Sequence, residues 1–398
     1  MAQNPAAGPM RILTLNSISA TGLRRLPAER YSVGSSVEQP DAILVRSQDM
    51  KSMAIAPSVR AIGRAGAGTN NIPVAEMSRR GVPVFNAPGA NANAVRELVL
   101  AGMLIAARNL VPALRFVDGL GGSDEEIERR VEDGKKAFAG IELPRHVLGI
   151  VGLGRIGSLV ADGAIKLGME VIGYDPEITV DAAWSLPSQV RKAHSIEEVL
   201  RGADFVTLHV PLLDATRNLV NAARVALMKP RAVLLNFSRD GIVDNAAVLA
   251  ALDAKRLKAY VCDFPGALFK GHPGVVATPH LGASTVEAEE NCAIMVVDQV
   301  RDYLEHGNIR NAVNFPDVVM PRESPFRLGI ANANVPNMVG QISTTVAQAG
   351  LNIHNMLNKS RQDMAYTLVD VDSAVPAQVT QKISAISGVL AVRYLPAS

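Results

Sequence analysis

The stretch 145–176, RHVLGIVGLGRIGSLVADGAIKLGMEVIGYDP, decides the fold. It runs strand, glycine turn, helix, strand, acid. GLGRIG supplies Gly152, Gly154 and Gly157 in the spacing G-x-G-x-x-G, and Asp175 closes the second strand 18 residues beyond Gly157. Gly152 makes a tight turn, Gly154 lets main chain approach a pyrophosphate, and Gly157 lets helix pack on strand while the helix N-terminus faces the negative charge. Asp175 is placed to bind both ribose hydroxyls and to repel a 2′-phosphate, which favours NAD over NADP. The hexapeptide alone is weak, because glycine turns are common. Its flanking strand, helix and acid make it a dinucleotide-binding βαβ unit.

Downstream, ADFVTLHVP (203–211), AVLLNFS (232–238), LKAYVCDF (257–264) and GVVATPH (274–280) read as further buried strands. Such near-continuous apolar runs suit a parallel sheet covered on both faces. Upstream, RILTLN (11–16), DAILVR (41–46), VRAIGRAGAGTNNI (59–72) and a strand, loop and helix over 81–110, capped near Asn93, form a second parallel unit. A long amphipathic helix spans 286–307, and NAVNFPDVVMPRESP (311–325), with three prolines, reads as a linker. Beyond it the order becomes β-α-β-β-α-β, a ferredoxin-like module. The expected class is α/β.

At 398 residues the chain should hold two or three domains. A hydrophobic share of 48% and a charged share of 20% mark a globular protein. The 40 basic and 38 acidic residues nearly cancel, so nothing attracts nucleic acid or an anionic membrane. Cys262 and Cys292 alone suit a reducing, cytoplasmic setting and argue against a disulfide framework. MAQNPAAGPM (1–10) is expected to be a loose leader, and LVLAGMLIAA (98–107) is too short to span a bilayer. No metal site is expected.

NFSRDGIVD (236–244) sets Arg239 at the carboxyl end of a buried strand, where ligands of open α/β sheets bind. Its planar fork of donors matches a carboxylate. The plainer alternative is a surface arginine paired with Asp240 or Asp244. His280 ends another strand, and its plainer alternative is a satisfied buried histidine. Asp263, at a third such end, either contacts the nicotinamide side of a cofactor or caps a turn. Together the residues describe a reaction: His280 removes the hydroxyl proton of a 2-hydroxy acid, a hydride leaves the same carbon for nicotinamide, and Arg239 holds the carboxylate.

These residues resemble the D-isomer-specific 2-hydroxyacid dehydrogenases. The matching pieces are GRAGAGTNNI (63–72), NAPGANANAVREL (86–98), GLGRIG with Asp175, HVP (209–211), NFSRDGIVD and TPHLGAST (278–285). The last module resembles the ACT regulatory domain. The resemblance implies a substrate domain over 1–98 plus 287–318, an NAD domain over 99–286 and an ACT domain over 324–398, with a deep cleft that closes on substrate and excludes water. It implies Arg46, Ser47, Arg64 and Asn91 as contacts for 3-phosphoglycerate. It adds Arg155, Ile156, His209, Pro211, Thr216, Phe237, Ser238, Asp263, Gly282 and Ala283 to the cofactor site. It implies the first step of L-serine biosynthesis, a homodimer or homotetramer, and L-serine as an effector gripped by Asn332, Asn334 and Asn352. Asn332 stands where serine-inhibited relatives often have His. Strand and helix capping is the equal alternative for these asparagines.

One departure stands out. The family pattern places a Glu a few residues beyond the Asp that matches Asp263, as partner of the catalytic His. Here Gly266, Ala267 and Leu268 fill that stretch. Without a carboxylate, His280 loses a group that favours its charged form. The expectation is an active but altered enzyme, weakest in reduction, with Glu142 or Glu287 as substitute partners. Two rival readings follow: another 2-hydroxyacid dehydrogenase, acting on 2-oxoglutarate or glyoxylate, and an NAD-binding sensor with a decayed site.

Overall fold

The computed structural model describes residues 8–397, so most of the expected leader lies outside the described residues. The chain forms two units, one comprising the chain up to Asn91 together with Val286 onward, the other Ala92–Thr285.

In the first unit, β1 (Met10–Leu15), β2 (Tyr31–Gly34), β3 (Ala42–Val45), β4 (Ala61–Arg64) and β5 (Val84–Phe85) form a parallel sheet. Its order, β2-β1-β3-β4-β5, is that of flavodoxin-like sheets. Every residue of β3 is buried, as expected of a strand covered on both faces. Helix Val286–His306 covers one face so closely that a Cβ on Gly63 would lie 2.8 Å from the Val296 and Val300 side chains.

The second unit holds β6 (Val147–Val151), β7 (Glu170–Tyr174), β8 (Arg191–Lys192), β9 (Phe205–Leu208), β10 (Ala232–Asn236), β11 (Leu257–Cys262) and β12 (Val275–Ala277). All pairings are parallel, in the order β12-β11-β10-β9-β6-β7-β8. The order reverses between β6 and β9, the switch point where such sheets open a crevice at their carboxyl ends. Helix Ala92–Ala107 lies on this sheet, and Gly102 makes the approach close: a Cβ there would sit 3.0 Å from Val261 and 3.2 Å from Phe237.

The C-terminal part is the expected β-α-β-β-α-β run. It comprises β13 (Phe326–Ala333), β14 (Ile353–Arg361), β15 (Met364–Val371) and β16 (Val389–Pro396), with helices Met338–Gln348 and Ala377–Ser384. The sheet is antiparallel, in the order β14-β15-β13-β16.

The expected linker over 311–325 is overturned. Ala312, Phe315, Val318 and Met320 are buried in one core with Phe85 and Tyr303 of the first sheet's layer and with Ala331, Tyr366 and Leu368 of the C-terminal sheet. The prolines mark irregular chain, and the apolar residues between them bury it. Arg327, fully buried, pairs with Asp370 at 2.6 and 2.8 Å and donates to the carbonyls of His306, Met320 and Pro321. Arg393 donates to the carbonyls of Tyr303 and Leu304, with its guanidinium 4.6 Å from the Tyr303 ring centroid. Among the described residues no single helix is long and apolar enough to cross a membrane.

Candidate active site

β6 delivers the chain to Gly152, whose φ of +93° few L side chains adopt. A Cβ there would lie 2.5 Å from the His209 carbonyl oxygen, which follows β9 across the switch point. A Cβ on Gly157 would lie 2.0 Å from the Gly152 oxygen. Gly154, at the N-cap of helix Arg155–Lys166, is different: a Cβ there would meet nothing within 4 Å. The protein's own packing therefore requires two of the glycines, while the third keeps space open in front of a helix N-terminus. The first turn, with Arg155 and Ile156, carries no acid. Asp175 sits beside the turn, its Oδ2 accepting from the Leu153 amide at 2.8 Å and its Oδ1 from the Glu177 amide at 3.0 Å.

On the far side of the switch point, His209 Nε2 lies 3.0 Å from Thr207 Oγ1. Its Nδ1 is buried without a partner among the described residues. Burial pushes the ring's pKa down to about 3, so the imidazole is neutral. Thr216 Oγ1 accepts from the Leu213 amide at 2.8 Å and donates to the Pro211 carbonyl. Ser238 Oγ donates to the Leu208 carbonyl at 2.6 Å, and Phe237 is buried beside it. The cradle at Gly154 and the unmatched His209 nitrogen fit a dinucleotide lying across this crevice.

Arg239 follows β10 in extended backbone and is exposed. Its Nη1 donates to the Ser238 carbonyl at 2.6 Å, and Asn236 Nδ2 donates to the Arg239 carbonyl at 2.9 Å. Neither nearby acid takes the guanidinium. Asp240 Oδ1 accepts from Asn245 Nδ2 at 2.9 Å, and Asp244 caps helix Asn245–Asp253 through the amides of Ala246 and Ala247, both at 3.1 Å. The plainer alternative of a paired surface arginine is thus not what these contacts show.

Asp263, 1% exposed, accepts from Thr278 Oγ1 at 2.6 Å and the Leu281 amide at 2.7 Å through Oδ1, and from the Gly282 amide at 2.8 Å through Oδ2. It caps the turn that carries His280, with Ala283 next along it. His280 is exposed, in left-handed backbone at φ +58°. Its ring meets Phe264 edge-on, with centroids 5.3 Å apart. Among the described residues of the second unit no carboxylate, Glu142 included, forms an ion pair with it. Gly266 opens a single turn, Ala267–Phe269, that tucks Phe269 against Tyr260 at 5.3 Å and leaves Ala267 and Leu268 exposed. Sequence reasoning missed Phe264. The signal was an aromatic directly after a strand-ending Asp.

In the first unit, β3 and β4 bring Arg46, Ser47 and Arg64 together. Arg64 Nε donates to the Arg46 carbonyl at 3.1 Å, and the Ser47 amide donates to Asn16 Oδ1 at 3.1 Å. Arg46 Nη2 pairs with Glu289 Oε1 at 2.6 Å, a partner the sequence did not disclose. Asn91 is half-buried at the end of this unit's first segment.

In the C-terminal sheet, Asn332 and Asn334 line a cavity of about 160 Å³ together with Asn337 and Asn358. Asn352 is elsewhere. Residue 353 pairs with Val371, while Ser360 pairs with Ala365 beside the cavity, so Asn352 lies at the opposite end of the antiparallel strands, next to Asp372.

The sequence profile of the D-isomer specific 2-hydroxyacid dehydrogenase NAD-binding domain matches residues 102–282. D-3-phosphoglycerate dehydrogenase of Haemophilus influenzae is 33% identical over 352 residues, covering 85% of this chain and 82% of that protein. A Thermus thermophilus protein of known structure superposes with a TM-score of 0.64 at 28% identity, covering 76% of this chain and 100% of its own. NAD⁺-bound 3-phosphoglycerate dehydrogenase of Entamoeba histolytica shares the fold, with a TM-score of 0.60 at 23% identity over 77% of this chain and 99% of its own. The second unit is thus an NAD-binding domain, and the chain belongs to the D-isomer-specific 2-hydroxyacid dehydrogenase family.

Proposed function

We propose that this chain oxidises 3-phospho-D-glycerate to 3-phosphohydroxypyruvate with NAD, the opening step toward L-serine. The observation that carries the reading is the pairing, on one NAD-binding sheet, of an arginine with no ion pair among the described residues and a histidine on an Asp-capped turn. Arg239 holds the substrate carboxylate through its guanidinium fork. A ring nitrogen of His280 takes the hydroxyl proton. NAD, which the Gly152–Gly157 turn and Asp175 would hold, would supply the hydride acceptor. Arg46 and Arg64 supply positive charge for the phosphate, and relatives that are D-3-phosphoglycerate dehydrogenases support that choice. Absorbance of NADH after adding 3-phosphoglycerate and NAD tests the reading, and parallel rates on unphosphorylated hydroxy acids test the phosphate's part. The bare His280 ring favours one second reading, an NAD-binding sensor. A flat trace at alkaline pH with excess enzyme would select it.

The C-terminal module serves in this proposal as an ACT-type effector domain. Asn332 is 1% exposed, and its Oδ1 lacks a donor among the described residues. A small amino acid such as L-serine brings an ammonium that satisfies it. Inhibition by L-serine, lost in Asn332→Leu, checks this. Leu104, Leu110, Leu114 and Val117 leave 41–64% of their surface exposed on two consecutive helices, which supports a homodimer through that face. Sedimentation decides it. The buried thiols Cys262 and Cys292 accord with a cytoplasmic setting.

A further inference from the structure

We infer that Glu289 sets the amount of negative charge this enzyme accepts on the far end of its substrate. The inference rests on Arg46 and Arg64 being the residues that meet that end. Three charged groups gather under one turn of helix Val286–His306. Arg46 and Glu289 touch at 2.6 Å, and Arg64 donates to the Arg46 carbonyl. Cys292, one turn along the same helix face and 4% exposed, feels all three: burial raises its pKa, both arginines oppose the rise, and Glu289 adds to it. Glu289 therefore sets one negative charge against the positive charge that the arginines bring.

That charge separates two kinds of substrate. A phosphate monoester carries about −1.5 to −2 near neutral pH, whereas a distal carboxylate carries a single charge. Placed against Arg46, either anion meets the Glu289 carboxylate as a neighbour of like charge. The repulsion grows with the anion's own charge. Arg46 keeps 31% of its side-chain surface exposed and Glu289 42%, so solvent moderates the effect without removing it. Glu289 thus acts through Arg46 as a positioning and specificity residue. It steadies the guanidinium, and it narrows the advantage of a phosphorylated 2-hydroxy acid over one that ends in a carboxylate.

Glu289→Gln tests this because glutamine keeps the length and an oxygen acceptor for Arg46 while removing the charge. The full-length enzyme is assayed with 3-phosphoglycerate (KM) and with D-2-hydroxyglutarate as competitor (Ki). Glu289→Gln is expected to shift the Ki/KM ratio toward the phosphorylated substrate on the order of fivefold, with the change residing in KM. Glu289→Ser, which removes the charge by another route, must move the ratio the same way. An unchanged ratio in both variants, while Arg46→Gln raises KM, overturns the role of Glu289 alone. If Arg46→Gln leaves KM and Ki as they were, the underlying assignment of Arg46 fails instead. NADH binding to each variant confirms that the second unit is intact.

Discussion

Phe264 meets the His280 ring edge-on, and an aromatic edge cannot hold a charged imidazole as an anion can. Reduction, in which charged His280 must donate, should suffer most. Ala267→Glu or Leu268→Glu, both at exposed positions of the short turn, is expected to raise the rate of 3-phosphohydroxypyruvate reduction on the order of tenfold. Steady-state rates against pH check this, and no gain from either variant counts against it. His209 poses the opposite case. Its folded ring stays neutral down to about pH 3, while the unfolded ring gains a proton below about 6.5. The stability it contributes is present above pH 6.5 and is lost as pH falls toward 3, at about 1.4 kcal/mol per pH unit. His209→Gln should lack this slope, so urea unfolding of the two proteins between pH 7 and 5 should converge as the pH drops.

The elements explain what could be read from residues and what could not. β6, β7, β9, β10 and β11 announced themselves as apolar runs because buried parallel strands need apolar side chains on both faces. β8 did not, being two exposed residues, Arg191 and Lys192, on the sheet's edge. GLGRIG, Arg239 and His280 were legible because each is a local pattern at a strand end. Glu289 was not, since it reaches Arg46 from a helix far along the chain. The Arg327–Asp370 pair was hidden for the same reason. Each residue interrupts an apolar strand, and only the β13–β15 register sets one opposite the other. Asp370→Asn leaves the fully buried Arg327 without its counter-charge and should cost about 3–5 kcal/mol in denaturant unfolding. Replacing both, with Arg327→Met and Asp370→Leu, should recover most of that loss.

At the scale of the molecule, one face of the C-terminal sheet shares a core with one face of the first sheet. A chain ending at residue 323 would uncover Phe85, Tyr303 and Phe315, now 0–2% exposed, where Tyr366 and Leu368 lie against their cluster. We expect that truncation to melt several degrees lower and to aggregate. A separately folded regulator would instead leave the melting temperature of the remainder unchanged. Gly81 carries the point into ancestry. It adopts φ +69°, and a Cβ there would strike that of Ala391 at 2.7 Å. A tail borrowed from a cousin enzyme would bring its own bumps to Gly81 and Tyr303 and find no matching hollows. The two sheets must drift together through evolution, each lineage revising both sides of the seam or neither.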